Sequence, residues 1–219
     1  MNLALYVFFA KNSIMKIVVV TDDLLKMEIS NELTFTGADI HFTKDLSEAG
    51  DSDVCIDLLF ENNNQRIGLL NDLKNSMIII NSVSGNNIPP HYIRLNGWPT
   101  LLRRPVAEVA KNKHHSQSKI ETIFDYFSKK TEWVPDIPGM ITPRIISMII
   151  NEAYFALGEG VSQKEEIDIA MKLGTNYPYG PFEWSEKIGL KKIYSLLEEL
   201  SVHEKRYSPA PLLKQQAFH

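Results

Sequence analysis

Between Pro138 and Gly189 the chain carries its densest local signals, and they dictate a run of packed helices. Pro143 suits a first helical position, with Thr142 as its cap, because a proline's fixed φ fits there and its missing N–H is not needed. Ile145, Ile146, Met148, Ile149, Ile150, Ala153, Ala156 and Leu157 spread beyond one face. That predicts a core helix packed on several sides until Gly158 and Gly160 end it. Ser162-Gln163-Lys164-Glu165 has the form of a capping box. It opens a second helix that turns Ile167, Ala170 and Met171 inward and closes on Gly174 in the left-handed region. Asn176-Tyr177-Pro178-Tyr179-Gly180-Pro181-Phe182 then sets two prolines around a glycine, a rigid corner whose aromatics plug neighbouring elements.

Upstream the period changes. Lys16-Ile17-Val18-Val19-Val20 is a short, β-branched apolar run, the pattern of a strand buried on both faces of a parallel sheet. Comparable runs recur at 40–43, 54–59, 77–80 and 92–95, separated by stretches able to form helices, among them Ile67, Leu69, Leu70 and Leu73. Ile120, Ile123, Phe124 and Phe127 mark another helix, Trp133-Val134-Pro135 a last short strand, and Asp136-Ile137-Pro138-Gly139 a hinge. The alternation predicts an α/β protein: a shortened Rossmann-like parallel sheet domain over 15–137, followed by an all-α carboxy-terminal domain over 138–219. Residues 1–14 read as an extension outside this fold.

A formal charge of −4 with interspersed signs gives no footprint for nucleic acid or an anionic membrane. No stretch approaches the roughly 20 apolar residues that span a bilayer. The apolar patch from Leu3 to Ala10 lacks the preceding positive charge and cleavage pattern of a signal peptide. Cys55, the single cysteine, excludes an internal disulfide, reads as a small core residue, and fits a cytoplasmic setting. No metal cluster, P-loop or nucleophile triad appears, and His114-His115 lacks the further ligands a metal needs.

The run of Pro138-Gly139, Arg144, Asn151-Glu152-Ala153, Glu159-Gly160-Val161, Glu166-Ile167-Asp168, Ala170-Met171, Leu173-Gly174, Pro178, Gly180-Pro181-Phe182 and Ile188-Gly189-Leu190 resembles the carboxy-terminal domain of 3-hydroxyacyl-CoA dehydrogenases. The segment 206–213, Arg-Tyr-Ser-Pro-Ala-Pro-Leu-Leu, resembles that domain's closing stretch. In the first half, Asp53 through Glu61 with Arg66, Ile80-Asn81-Ser82-Val83-Ser84, and Val106-Ala107-Glu108-Val109 are similar to segments of the family's nucleotide-binding domain. The resemblance implies NAD-dependent oxidation of a 3-hydroxyacyl-CoA to the 3-oxoacyl-CoA in fatty acid metabolism. It also implies an acyl-CoA-type small molecule and a homodimer paired through the carboxy-terminal helices. Carried over residue by residue, it makes Ser84 the serine that contacts the substrate oxygen, with Ser82 as the alternative. Glu108 becomes the glutamate that holds a catalytic imidazole. Thr21 and Asp22 fall in the cofactor's phosphate turn, Lys44 near the acid that grips the ribose, and Glu61 and Arg66 at the strand end and helix that follow.

The departures from the family pattern are as informative. The turn Thr21-Asp22-Asp23-Leu24-Leu25 has no glycine, where a dinucleotide fold needs close backbone approach to a pyrophosphate. Two carboxylates stand there, which also suits the start of a helix. The family's histidine is missing, its Gly-x-His standing here as Gly97-Trp98-Pro99, and Pro143 holds the place of its catalytic asparagine. The link from the second strand to the third is much shorter than the family's. Weakened or lost catalysis follows. The alternatives are a non-catalytic acyl-CoA-binding, nucleotide-binding or assembly module, or a dehydrogenase that recruits His91. Without an imidazole, Glu108 pairs with Arg103, Arg104 or a backbone group on this reading.

Overall fold

The computed structural model describes residues 14–30 and 37–219; the extension expected over 1–14 lies, but for Ile14, outside them. Among the described residues seven strands form one sheet in the order β2-β1-β3-β4-β5-β6-β7. The strands are β1 (Met15–Val20), β2 (Ala38–Thr43), β3 (Val54–Asp57), β4 (Met77–Asn81), β5 (Ile93–Leu95), β6 (Val106–Ala110) and β7 (Lys130–Val134). Every pairing is parallel except β5 with β6. Helices α1 (Asp23–Ile29), α2 (Asn64–Asn71) and α3 (Gln117–Asp125) connect strands, and a single 3-10 turn at Leu46–Ala49 is the only regular element between β2 and β3. The central strands β1, β3 and β4 are buried on both faces, as their unbroken apolar runs require. Val19, Ile56 and Ile79 enter one core with α3's Ile120, Ile123 and Phe124. Val20, Cys55 and Ile80 enter the opposite one.

The carboxy-terminal part is all helix: α4 (Thr142–Gly158), α5 (Lys164–Thr175), α6 (Pro181–Ile188), α7 (Leu190–Ser201) and α8 (Pro211–Ala217). Several local expectations shift. Thr142 is the first residue of α4 rather than its cap, and Ile141 at the cap position supplies no side-chain bond. Gln163, not Ser162, caps α5; Glu166 closes the box, and the Ser162 hydroxyl bonds the Glu166 carboxylate instead. Asn176 rather than Gly174 takes the left-handed position at the end of α5, with φ 57°. On that helix Ala170 is exposed and the buried residue is Asp168, whose carboxylate accepts from the Phe182 and Glu183 amides at 2.8 and 3.1 Å. It caps α6 from outside, and Gly180 makes room for it: a Cβ there would lie 2.3 Å from the Asp168 Cγ. Burial is the largest influence on this acid and raises its pKa. Tyr177 and Tyr179 pack against Trp184, so the corner works as the proline spacing requires. Helix α4 buries Ile146, Ile150 and Tyr154 but leaves Ile145 exposed, so it is packed on fewer sides than its composition suggests.

The two parts share a core. Val83 and the loop residues Trp98 and Leu101, all from the sheet part, cluster with Ile150, Tyr154, Leu196 and Leu197 of the helices. Backbone and charge reinforce the joint: the Gly139 amide donates to the Val83 carbonyl at 2.7 Å, and Arg94, 3% exposed, bonds Asp136 at 2.6 and 2.9 Å and the Ile137 carbonyl at 3.2 Å. Trp98→Ala should therefore lower the unfolding free energy by about 3–5 kcal/mol, the range for deleting a large buried aromatic. Urea unfolding followed by circular dichroism should still show one transition, because the hole opens in a core that belongs to both parts.

Candidate functional site

A cleft of about 950 Å³ lies where the carboxyl ends of β1, β3 and β4 face α7. Open parallel sheets place their ligand crevice at such strand ends, since the loops there diverge over exposed backbone groups. Its floor is apolar, with Leu25, Leu58, Val83, Trp98 and Leu196; Asp22, Glu61, Asn62, Ser84 and Asn86 stand on the sheet side. Helix α7 contributes Lys191, Lys192, Ser195, Glu198 and Glu199.

Behind β1, the Asp22 carboxylate accepts from the Leu25 amide at 2.8 Å and is the N-cap of α1. Thr21 is buried, its amide donating to the Thr43 carbonyl at 2.8 Å and its hydroxyl to the Asp22 carbonyl at 3.1 Å. Lys44 reaches back 2.8 Å to Asp23. That hydrogen bond lowers the carboxyl's pKa and raises the ammonium's, although both groups are exposed.

Behind β3, Arg66 does not face the cleft lining but forms two bonds of 2.7 Å to Asp57. The Asp57 side chain is wholly buried, so this is a charge held inside the sheet end, and the bond raises the arginine's pKa. A lone acid in the apolar run from Val54 to Leu59 was the available sequence signal for this pair. Behind β4, the Asn81 side chain spans two loops, donating to the Leu58 and Gly97 carbonyls at 3.1 and 3.0 Å and accepting from the Gly97 amide at 3.0 Å. Gly97 is required for this contact, since a Cβ there would lie 2.7 Å from the Asn81 Cγ. The Ser84 hydroxyl accepts from the Asn86 amide at 3.4 Å, and Ser82 donates to the Ser84 carbonyl at 2.8 Å.

Glu108 lies apart from the cleft lining, at the junction of the two parts. It is 3% exposed and accepts from the Ile141 amide at 3.2 Å, the Thr142 amide at 3.1 Å, the Thr142 hydroxyl, and Arg104 at 3.0 Å. It therefore caps α4 from the sheet and lies against the amide end of that helix dipole. Of the partners expected for it, Arg104 and backbone amides are the ones engaged. His91 is exposed, its ring edge-on to Tyr92 at 4.8 Å and its carbonyl 2.9 Å from the His115 ring nitrogen; it does not line the cleft. Cys55 is buried, and burial pushes its thiol up to about 12, so it is no nucleophile.

Two buried charges were not visible in the sequence pattern. Glu28 grips the Thr100 amide with both carboxylate oxygens, at 2.8 and 2.9 Å, and holds that residue at φ 70°. Lys129, 4% exposed, donates to the Leu102 and Arg104 carbonyls. Together they fasten the loop that presents Trp98 and Pro99 to the cleft. Glu28 shares the inward face of α1 with Leu25 and Ile29, and Lys129 follows α3, but only the tertiary fold brings either charge to the loop.

Residues 139–218 match the family model described as 3-hydroxyacyl-CoA dehydrogenase, C-terminal domain. Among curated proteins, the 3-hydroxyadipyl-CoA dehydrogenase of Escherichia coli is 42% identical over 115 residues, 52% of this chain and 24% of that protein. The chain thus matches about a quarter of that relative's length. A probable 3-hydroxybutyryl-CoA dehydrogenase of Deinococcus radiodurans is 28% identical over 197 residues, 80% of this chain and 70% of that one. Among solved structures, the (S)-3-hydroxybutyryl-CoA dehydrogenase of Ralstonia eutropha shares the fold, with a TM-score of 0.71 over 93% of each chain at 20% identity.

Burial, opposed by Glu28 and reinforced by Arg104, lowers the Lys129 pKa from 10.5 to about 8. Between these values the folded protein has released a proton that the unfolded chain still holds, so this group adds stability as pH rises from about 8 toward 10.5. Urea titrations of wild type and Lys129→Met should show the wild type gaining relative to the variant across that window. A constant difference would place the lysine's titration elsewhere.

Proposed function

The chain belongs to the 3-hydroxyacyl-CoA dehydrogenase family, and from that premise we propose that it binds an acyl thioester in its cleft without performing hydride transfer. The observation that carries this reading is the engagement of Glu108. A carboxylate that orients an imidazole must spend an oxygen on its N–H. Here the oxygens are taken by Arg104, by two amides of the α4 end and by the Thr142 hydroxyl. At the same helix start Pro143 has no group that could hydrogen-bond a developing oxyanion.

The residues at the head of α1 do not fit NAD. The amide that a pyrophosphate oxygen would seek already has the Asp22 carboxylate on it, and Asp23 stands next in the chain. Like charges about 4 Å apart repel by about 1 kcal/mol in bulk water and by more near a low-dielectric wall. On this reading Thr21, Asp22, Lys44, Glu61 and Arg66 shape the strand ends rather than hold a nucleotide. Both family-matched serines line the cleft; Ser82 spends its hydroxyl proton on the Ser84 carbonyl, which leaves the Ser84 hydroxyl to meet an acyl oxygen.

A homodimer belongs to the same reading, as does a cytoplasmic setting. Ile141 and Ile145 of the α4 start and Ile169 and Leu173 of α5 are 45–83% exposed, apolar side chains of the kind that subunit contacts cover. The second reading, an assembly module, is favoured by the Escherichia coli match, in which a segment similar to this one accounts for a quarter of a longer protein.

Two measurements test the proposal. NADH consumption with acetoacetyl-CoA should stay at the enzyme-free background, and turnover in the usual range of about 1–1,000 s⁻¹ would overturn the loss of hydride transfer. Sedimentation should give a dimer that Ile145→Lys with Leu173→Lys drives toward monomer; a monomeric wild type would remove the dimer.

A further inference from the structure

We propose that the cleft is shaped for the acyl-pantetheine arm of a thioester and turns away the phosphate-bearing nucleotide end of coenzyme A. This rests on the acyl-thioester reading above and says which part of the thioester the protein recognises. Four carboxylates line the cleft, Asp22, Glu61, Glu198 and Glu199, against two ammonium groups, Lys191 and Lys192. Four cations on the neighbouring elements are already committed: Lys44 to Asp23, Arg66 to Asp57, Arg94 to Asp136 and Arg104 to Glu108. A polyphosphate entering this space would meet an excess of like charge, and no arginine lines the cleft to fork onto it.

A neutral arm meets a different wall. The side-chain amides of Asn62 and Asn86 and the hydroxyls of Ser84 and Ser195 line the cleft. They offer donors and acceptors of the kind that the two amides and the hydroxyls of a pantetheine chain use. Asn62 spends one donor on the Asn86 carbonyl at 2.7 Å, and Asn81 is consumed by the Leu58 and Gly97 loops, so the neutral set excludes Asn81. Leu25, Leu58, Trp98 and Leu196 supply the apolar floor for an acyl group. A concave, mostly apolar pocket with a few polar groups is the common form of a small-molecule site, and about 950 Å³ is within its usual size.

The test is calorimetric titration of the full chain with acetoacetyl-pantetheine and with acetoacetyl-CoA at low and high salt. The pantetheine ester should bind at least as tightly as the CoA ester at low ionic strength, and added salt should improve the CoA ester relative to it by screening the carboxylates. In the Glu61→Gln, Glu199→Gln variant the ratio of the two dissociation constants should move several-fold toward the CoA ester. Tighter binding of the CoA ester by the wild type, or a ratio unmoved in the variant, would overturn the inference while leaving the acyl-thioester reading intact. Binding of neither ester would overturn both.

Discussion

The join between sheet and helices depends on one buried carboxylate. Helix α4 begins without a side-chain cap of its own, at an Ile141 that has none to give, yet its first amides point into a junction from which water is largely excluded. Glu108 supplies the missing acceptor from β6, and Arg104 balances its charge. Glu108 is buried while Arg104 is 36% exposed, so breaking their ion pair costs less than breaking a fully buried pair, which costs about 3–5 kcal/mol. The same bonds set where α4 starts, and hence where α4's Ile150 and Tyr154 meet Trp98 and Leu101. Pro143 is tolerated one residue in, since no N–H is needed there.

The loop after β5 is the other half of the junction. Gly97 lets Asn81 tie this loop to the end of β3, Trp98 leaves the sheet part to enter the helical core, and Thr100 is held in the left-handed region by Glu28. Lys129 then fixes the loop's last carbonyls before Arg104 turns toward Glu108. A non-glycine residue at positive φ carries a cost of order 1 kcal/mol, so the bidentate bond to its amide offsets real strain. This loop is a structural strap, and Trp98 is an aromatic plug that joins the two parts at the floor of the cleft.

Six of the seven strands and the helical carboxy-terminal part were legible because burial imposes a pattern; β6, read only as a family-like segment, and its antiparallel pairing with β5 were not. Runs such as Met77–Ile80 and the spacing of Ile120, Ile123, Phe124 and Phe127 admit few alternatives. Caps were read one or two residues out, at Ser162 for Gln163 and Gly174 for Asn176, because several neighbouring polar or small residues can satisfy the same backbone groups. Asp168 was read only as part of a family match. Its role as an external cap for α6 depends on a contact 14 residues away, which no local pattern encodes. At the site, the absence of glycine from 21–25 and of histidine from 94–108 was visible as letters, and the pairing of Glu108 with Arg104 or backbone was foreseeable once no imidazole stood near it. Glu28 and Lys129 were not, since a charged residue in a short helix or loop looks solvated until tertiary structure buries it.

The place of the strand-end crevice and its electrostatics are set by different residues. The crevice follows from sheet topology, which needs only the apolar runs of β1, β3 and β4 and the loop tie at Asn81. The charge at the head of α1 is set separately, by the carboxylates of Asp22 and Asp23. Asp22 satisfies the Leu25 amide at 2.8 Å, so it stabilises α1 as a good N-cap whether or not a ligand is present. The residue that makes the helix start well therefore also sets the negative charge on this side of the cleft.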